Sequence, residues 1–149
     1  LAAERWLTKN SLVTFTGRKE EGLTTNRYIA EKTEVSTAKN FDPKATWQLG
    51  SFALRKLYHE SSRPLLVIYT SPNCGPCHVL KPQLKRVLEE LDAKAQGVEI
   101  DIEIDQEVAK QAGVNGTPTV QLFKDKALIQ QWKGVKQRSI FKEAIKQLL

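Results

Sequence analysis

The chain has 149 residues, 40% of them hydrophobic and 27% charged, with a formal net charge of +6. That length fits one domain plus an appendage, and the apolar share is enough for a packed core. No run approaches the roughly 18 apolar residues of a membrane-spanning helix. The first stretch carries Glu4, Arg5 and Lys9 and lacks the continuous apolar segment of a secretory signal. Methionine is absent, and the sequence opens on Leu1-Ala2-Ala3-Glu4-Arg5. It therefore reads as a piece of a longer protein or a processed product, from which any targeting segment would be gone. The charge is uneven: residues 124–146 hold seven Lys or Arg against two Asp or Glu. A nucleic-acid surface needs a basic face interleaved with stacking aromatics, and this stretch offers only Trp132 and Phe141. It reads instead as a solvated helix face, or as a surface that steers an acidic protein partner.

In chain order, residues 1–12 are rich in helix formers and predict a helix, and Val13-Thr14-Phe15-Thr16 alternates like a strand. From Gly17 to Asn40 no apolar period persists, which predicts a partly mobile linker. The main domain is expected from about Phe41, with a short edge strand at 45–48. Phe52, Ala53, Leu54, Leu57 and Tyr58 have helical spacing, and Arg63-Pro64 ends that helix. Leu65 to Thr70 is a buried strand. A long helix over about 75–95 follows, with Val79, Leu80, Leu84, Val87, Leu88 and Leu91 on one face and Pro82 bending it. Val98, Ile100, Ile102 and Ile104 alternate with Glu99, Asp101 and Glu103, which predicts a strand over 98–104 with the acidic side chains on a solvent face. That face is a far better account of the acidic set than a metal site. A short helix at 106–112 closes at Gly113. Residues 119–124 and 128–132 predict a hairpin around Lys124-Asp125-Lys126. Gly134 ends it, and Ser139 is the expected N-cap of a last helix. Trp47 and Trp132 are assigned to core or sheet packing. The order β-α-β-α-β-α-β-β-α predicts an α/β sandwich with a mixed central sheet.

The chemistry is concentrated at Cys74-Gly75-Pro76-Cys77, which holds the only two cysteines. They sit directly after a strand and open a helix, where the dipole and free N–H groups stabilise a thiolate. The thiolate is the attacking species in disulfide exchange. Three rival readings are weaker. A zinc site wants four N or S ligands, but beyond the cysteines there are only His59 and His78, and His78 adjoins Cys77. Cys-x-x-Cys-His also matches covalent haem attachment, yet no methionine is available as axial ligand and the α/β alternation is wrong for it. A purely structural disulfide closing so short a loop adds little stability.

With Gly116-Thr117-Pro118 before the hairpin and Gly134-Val135 after it, residues 41–149 resemble thioredoxin. The resemblance implies the thioredoxin fold, a central mixed β-sheet flanked by helices. It implies Cys74 as nucleophile, Cys77 as resolving thiol, and Gly75 and Pro76 as the active-site loop. It also implies a cis bond at Thr117-Pro118, whose backbone binds a substrate strand, and Gly116, Gly134 and Val135 as further walls of that groove. For such pairs a thiolate pKa near ~7 and a potential of about −270 mV are usual. Two positions depart from the family. Asn73 stands where Trp is usual. Ile68 stands where a buried Asp usually moves the resolving thiol's proton, so the group that deprotonates Cys77 is open between His78 and ordered water.

Those departures, with Ala53-Leu54-Arg55-Lys56-Leu57-Tyr58-His59-Glu60-Ser61, resemble one subgroup: the thioredoxin domain of the NADPH-thioredoxin reductase fusions of cyanobacteria and plastids (NTRC). Ala2-Ala3-Glu4-Arg5-Trp6-Leu7 is similar to the last helix of a low-molecular-weight thioredoxin reductase. The resemblance therefore implies three regions: 1–16 as the reductase's end, 17–40 as linker and 41–149 as thioredoxin domain. It implies FAD and NADPH in the reductase domain and no cofactor or metal in this chain. The expected client is a 2-Cys peroxiredoxin, and the expected location is cyanobacterial cytoplasm or chloroplast stroma. The competing functions are a stand-alone general thioredoxin, a non-catalytic binding module of the same fold, and an isomerase or oxidant with a potential well above about −200 mV.

Overall fold

The computed structural model of the chain describes residues 34–149. The helix expected at 1–12, the strand at 13–16 and most of the linker lie outside the described residues.

The elements follow the predicted order: β1 Trp47–Leu49, α1 Ser51–Glu60, β2 Leu65–Thr70, α2 Gly75–Glu90, β3 Gln96–Asp101, α3 Gln106–Gln111, β4 Thr119–Lys124, β5 Ala127–Lys133 and α4 Arg138–Lys146. Five strands make one mixed sheet in the order β1-β3-β2-β4-β5. β1 and β2 run parallel to β3, β4 runs antiparallel to β2, and β5 runs antiparallel to β4.

β2 is the central strand, and all six of its residues are buried. A strand covered on both faces has no polar side to alternate with, which is why its sequence is a continuous apolar run. The pleat divides it between two cores. Leu65, Val67 and Tyr69 join Ala53, Leu54 and Leu57 of α1. Leu66 and Ile68 join Leu80, Leu84 and Leu88 of α2 and Phe141 and Ile145 of α4. Each such side chain contributes about 1.5–3 kcal/mol through burial.

Trp132 and Phe141, the two aromatics of the basic stretch, meet edge to face inside the second core with centroids 5.0 Å apart. Arg138 and Lys142 of that stretch pair with Glu90 of α2 at 3.4 and 3.3 Å. Trp47 packs against the same core beneath the Lys85 ammonium, which lies 5.2 Å from its ring centroid. Ahead of β1, Val35 bridges to Leu49, and the Ser36 N–H donates to the Leu49 carbonyl at 2.8 Å.

Three local expectations need correction. First, β3 ends at Asp101, short of Ile104, because Asp101 turns the chain. Its carboxylate accepts the Glu103 N–H at 2.8 Å, and its carbonyl accepts from Ile104 and Asp105 at 3.1 and 2.9 Å. Glu99 is not on a solvent face either: β3 lies inside the sheet, between β1 and β2, and the Glu99 side chain is only 13% exposed. Second, α2 stops at Glu90, because Asp92 and Ala93 take left-handed φ values of 53° and 59°, and Val79 lies off its buried face, 58% exposed. Third, Ser139 lies within α4, whose N-cap is Gln137 with no side-chain cap bond.

Candidate active site

Leu65 to Thr70 carries the chain through the middle of the sheet and releases it at the start of α2. Cys74 is the N-cap of that helix, in extended conformation, with Pro76 in the first turn. Its N–H donates to the Ser71 carbonyl at 3.2 Å, which closes the loop between strand and helix. Cys74 and Cys77 form a disulfide with Cα atoms 5.3 Å apart. The Cys77 backbone N–H also donates to Cys74 Sγ at 3.1 Å. A helix N-terminus leaves such N–H groups without intrahelical partners, so one of them is aimed at sulfur. After reduction the same N–H and the 16-residue helix dipole favour the Cys74 thiolate.

Burial separates the two sulfurs. Cys74 is 7% exposed, Cys77 only 1%. Gly75 and Pro76 are exposed between them, and Asn73 and His78 are exposed on either side. An incoming disulfide can therefore approach Cys74, whereas Cys77 is reached only from within. That asymmetry suits one attacking and one resolving sulfur.

The second loop is set against the first. Thr117-Pro118 is a cis peptide, and Pro118 is buried. The Ser71 and Thr117 hydroxyls share a hydrogen bond at 3.2 Å, joining the cysteine loop to the cis-proline loop. Thr119 Oγ1 donates to the Gly116 carbonyl at 2.8 Å, and the Gly134 N–H donates to the Pro118 carbonyl at 2.9 Å. Gly134 has φ +82°, a conformation that side-chain-bearing residues rarely adopt, so glycine is required where the chain leaves β5. Val135 follows it, 46% exposed.

Hydrogen bonds thus link Cys74, Ser71, Thr117, Pro118 and Gly134 into one constellation. Gly116 is held to the cis-proline loop by the Thr119 hydroxyl, whereas Asn73, His78 and Val135 join the constellation as chain neighbours. Sequence reasoning missed Ser71, whose only signal is a hydroxyl three residues before Cys74.

It also missed a charged pair between α2 and β3. Lys81 Nζ of α2 donates to Glu99 Oε2 at 3.0 Å, and Thr70 Oγ1 donates to the same oxygen at 3.1 Å. Deeper in the sheet, the Tyr69 hydroxyl donates to Gln121 Oε1 at 2.8 Å, and Gln121 Nε2 donates to Gln131 Oε1 at 2.7 Å. Burial pushes the Tyr69 phenol well above its ordinary range.

Comparison with known proteins agrees with this geometry. The family profile described as thioredoxin matches residues 48–147. NADPH-dependent thioredoxin reductase 3 of Arabidopsis thaliana is 46% identical over 145 residues, covering 97% of this chain but only 27% of the reductase. Thioredoxin 1 of Synechococcus elongatus is 33% identical over 66 residues, covering 44% of this chain and 62% of that protein. Among solved structures, chloroplastic thioredoxin z has a TM-score of 0.62 at 22% identity, covering 73% of this chain and 97% of that one. A mutant thioredoxin from Halobacterium salinarum has a TM-score of 0.62 at 25% identity, covering 72% and 94%. The chain belongs to the thioredoxin family and is a thioredoxin-type thiol–disulfide oxidoreductase, with a disulfide between Cys74 and Cys77.

Proposed function

We propose that this domain carries reducing equivalents from a reductase dithiol to client disulfides, with Cys74 as nucleophile and Cys77 as resolving thiol. The observation that carries the roles is the placing of Cys74 Sγ at the helix N-cap, on the Cys77 N–H, while Cys77 itself is buried. The Cys74 thiolate attacks one sulfur of a client disulfide. An S–S bond forms between them, and the other client sulfur leaves as thiolate. Cys77 loses its proton and attacks Cys74 Sγ. The electron pair of the mixed disulfide passes to the client sulfur, which takes a proton from solvent. The client ends with two thiols and the domain with the Cys74–Cys77 disulfide.

The parent is proposed to be a fusion with an NADPH-dependent reductase. Likeness to the Arabidopsis reductase extends over 145 residues, well upstream of the thioredoxin match that begins at residue 48. Within that reading residues 1–16 end the reductase, 17–40 form the linker and 41–149 form the thioredoxin domain. FAD and NADPH would belong to the reductase domain. The proposed client is a 2-Cys peroxiredoxin, in chloroplast stroma or cyanobacterial cytoplasm. An extended client segment would lie along Gly116, Thr117 and Pro118, beside Gly134 and Val135.

The test is a trap. Cys77→Ser leaves the mixed disulfide at Cys74 unresolved, and a lysate of photosynthetic cells is passed over the immobilised variant. A peroxiredoxin dominating the dithiothreitol eluate supports the client assignment. A broad set of metabolic enzymes favours a general thioredoxin. An empty eluate removes the reductant reading and leaves a binding module.

A further inference from the structure

Resolution of the mixed disulfide requires Cys77 to lose a proton while it is 1% exposed. Burial disfavours the charged thiolate, and bulk water has little access to it. His78, the neighbouring titratable group, lies on the exposed side of α2. The buried side holds a different one.

Ile68 of β2 is the register partner of Glu99 in the parallel β2–β3 ladder. Register partners project to the same face of a sheet. Ile68 packs with Leu80 and Leu84 of α2, so Glu99 also projects toward α2. Lys81, which reaches the Glu99 carboxylate, is four residues after Cys77 and therefore on the same face of the helix, about 6 Å along the axis. Helical side chains lean toward the N-terminus, so the Lys81 stem runs toward the turn that holds Cys77. Thr70, the other donor to Glu99 Oε2, is the last residue of β2 before the cysteine loop. The two donors hold the carboxylate between the sheet and α2, the helix on whose buried face Cys77 lies.

We propose that Glu99 is the acid–base partner of Cys77, oriented by Lys81 and Thr70. In the resolving step the Cys77 thiol proton passes to the Glu99 carboxylate, Cys77 sulfur bonds to Cys74 Sγ, and the client sulfur departs with the electron pair of the broken bond. Glu99 then returns the proton to solvent. Side-chain exposures of 13% for Glu99 and 26% for Lys81 leave that outward path open. Among the described residues, two further charged groups near this layer are engaged elsewhere. Lys85 of α2 sits over the Trp47 ring, and Asp101, two residues along β3, accepts the Glu103 N–H. This inference rests on the exchange chemistry of the dithiol and not on the identity of the parent or client.

The test separates the two sulfurs in time. The reduced 149-residue chain is mixed with dithiobis-nitrobenzoate in a stopped-flow instrument. The first thionitrobenzoate released reports attack by Cys74, and the second reports resolution by Cys77. Glu99→Gln keeps the side-chain size and an acceptor for Lys81 and Thr70. It is expected to slow the second release about tenfold or more at neutral pH, the low side of what a positioned acid–base group contributes. The first release serves as internal reference, and the deficit closes at alkaline pH, where hydroxide suffices. Glu99→Asp restores part of the rate. An unchanged second phase across pH overturns the proposal, as does an equal loss in both phases. If Glu99→Gln does not fold, Lys81→Gln decides. Leaving the carboxylate charge unbalanced beside the thiolate moves the acid limb of the second-phase profile to higher pH, and an unmoved limb overturns the proposal.

Discussion

The Ser71 and Thr117 hydroxyls meet at 3.2 Å, although the residues are 46 positions apart. Through them the loop that presents the dithiol is fastened to the loop that carries the cis-proline. On the proposed function, the distance between those loops sets how a client strand and its disulfide are aligned. Replacing Ser71 by Ala or Thr117 by Val removes one partner and keeps the shape. Each change is expected to cost about 0.5–1.5 kcal/mol, the usual net value of one hydrogen bond. Urea unfolding of the two singles and the double closes a mutant cycle. A coupling of about 0.5 kcal/mol or more is expected for a direct contact, and additive losses show that the hydroxyls act separately.

Tyr69 gives a pH signature. Burial raises its phenol above the ordinary value near ~10, because the folded state resists forming a phenolate there. The sign follows from proton counting: above the unfolded value the unfolded chain has lost this proton and the native chain still holds it. The contribution to stability is therefore complete below about pH 10 and declines as pH rises beyond it. Tyr69→Phe is expected to flatten that alkaline decline. It also leaves Gln121 Oε1 without its donor, costing about 1–3 kcal/mol at neutral pH. Denaturant midpoints measured across pH for the two proteins check both parts.

Gly97 is required by close packing. A Cβ built there would lie 2.6 Å from Trp47 Cε3 and 2.9 Å from Leu88 Cδ1. Gly97→Ala forces the indole or α2 to move. A loss of about 1–3 kcal/mol is expected, typical of an overfilled core. Chemical denaturation measures the loss, and Trp47→Leu in the same background is expected to recover part of it.

The hairpin between β4 and β5 turns on Asp125 and Lys126, with φ of 52° and 66°. A two-residue turn with both values positive favours glycine at the second position. Tyr58 Oη donates to the Lys126 carbonyl at 2.8 Å, so α1 holds that turn from behind. Lys126→Gly keeps this backbone contact. It is expected to stabilise the domain by about 0.5–1 kcal/mol, as relief of left-handed strain outweighs the added freedom of the unfolded chain. A rise in melting temperature checks the direction.

Much of the framework was legible because the signals are local. Pro64 and the apolar run after it marked β2 to the residue, since a strand buried on both faces has no other composition. Cys74 and Cys77, three apart at a helix start, announced their chemistry through dipole and spacing. The limits of β3 were less legible. Its apolar and acidic residues alternate as they would on a half-exposed strand, and no local signal showed that the strand lies inside the sheet or that Asp101 turns the chain.

By itself the sequence determined the element order, the closely spaced cysteine pair and the presence of a small-residue turn at Gly134, all matters of short-range spacing and backbone freedom. Tertiary structure decided what faces what. The meeting of Ser71 with Thr117, the burial of Cys77 against the accessibility of Cys74, and the convergence of Thr70, Lys81 and Glu99 on one oxygen each join segments distant along the chain. Such contacts depend on strand order and register. Those are set by packing two cores against opposite faces of one sheet, which no local pattern of residues encodes.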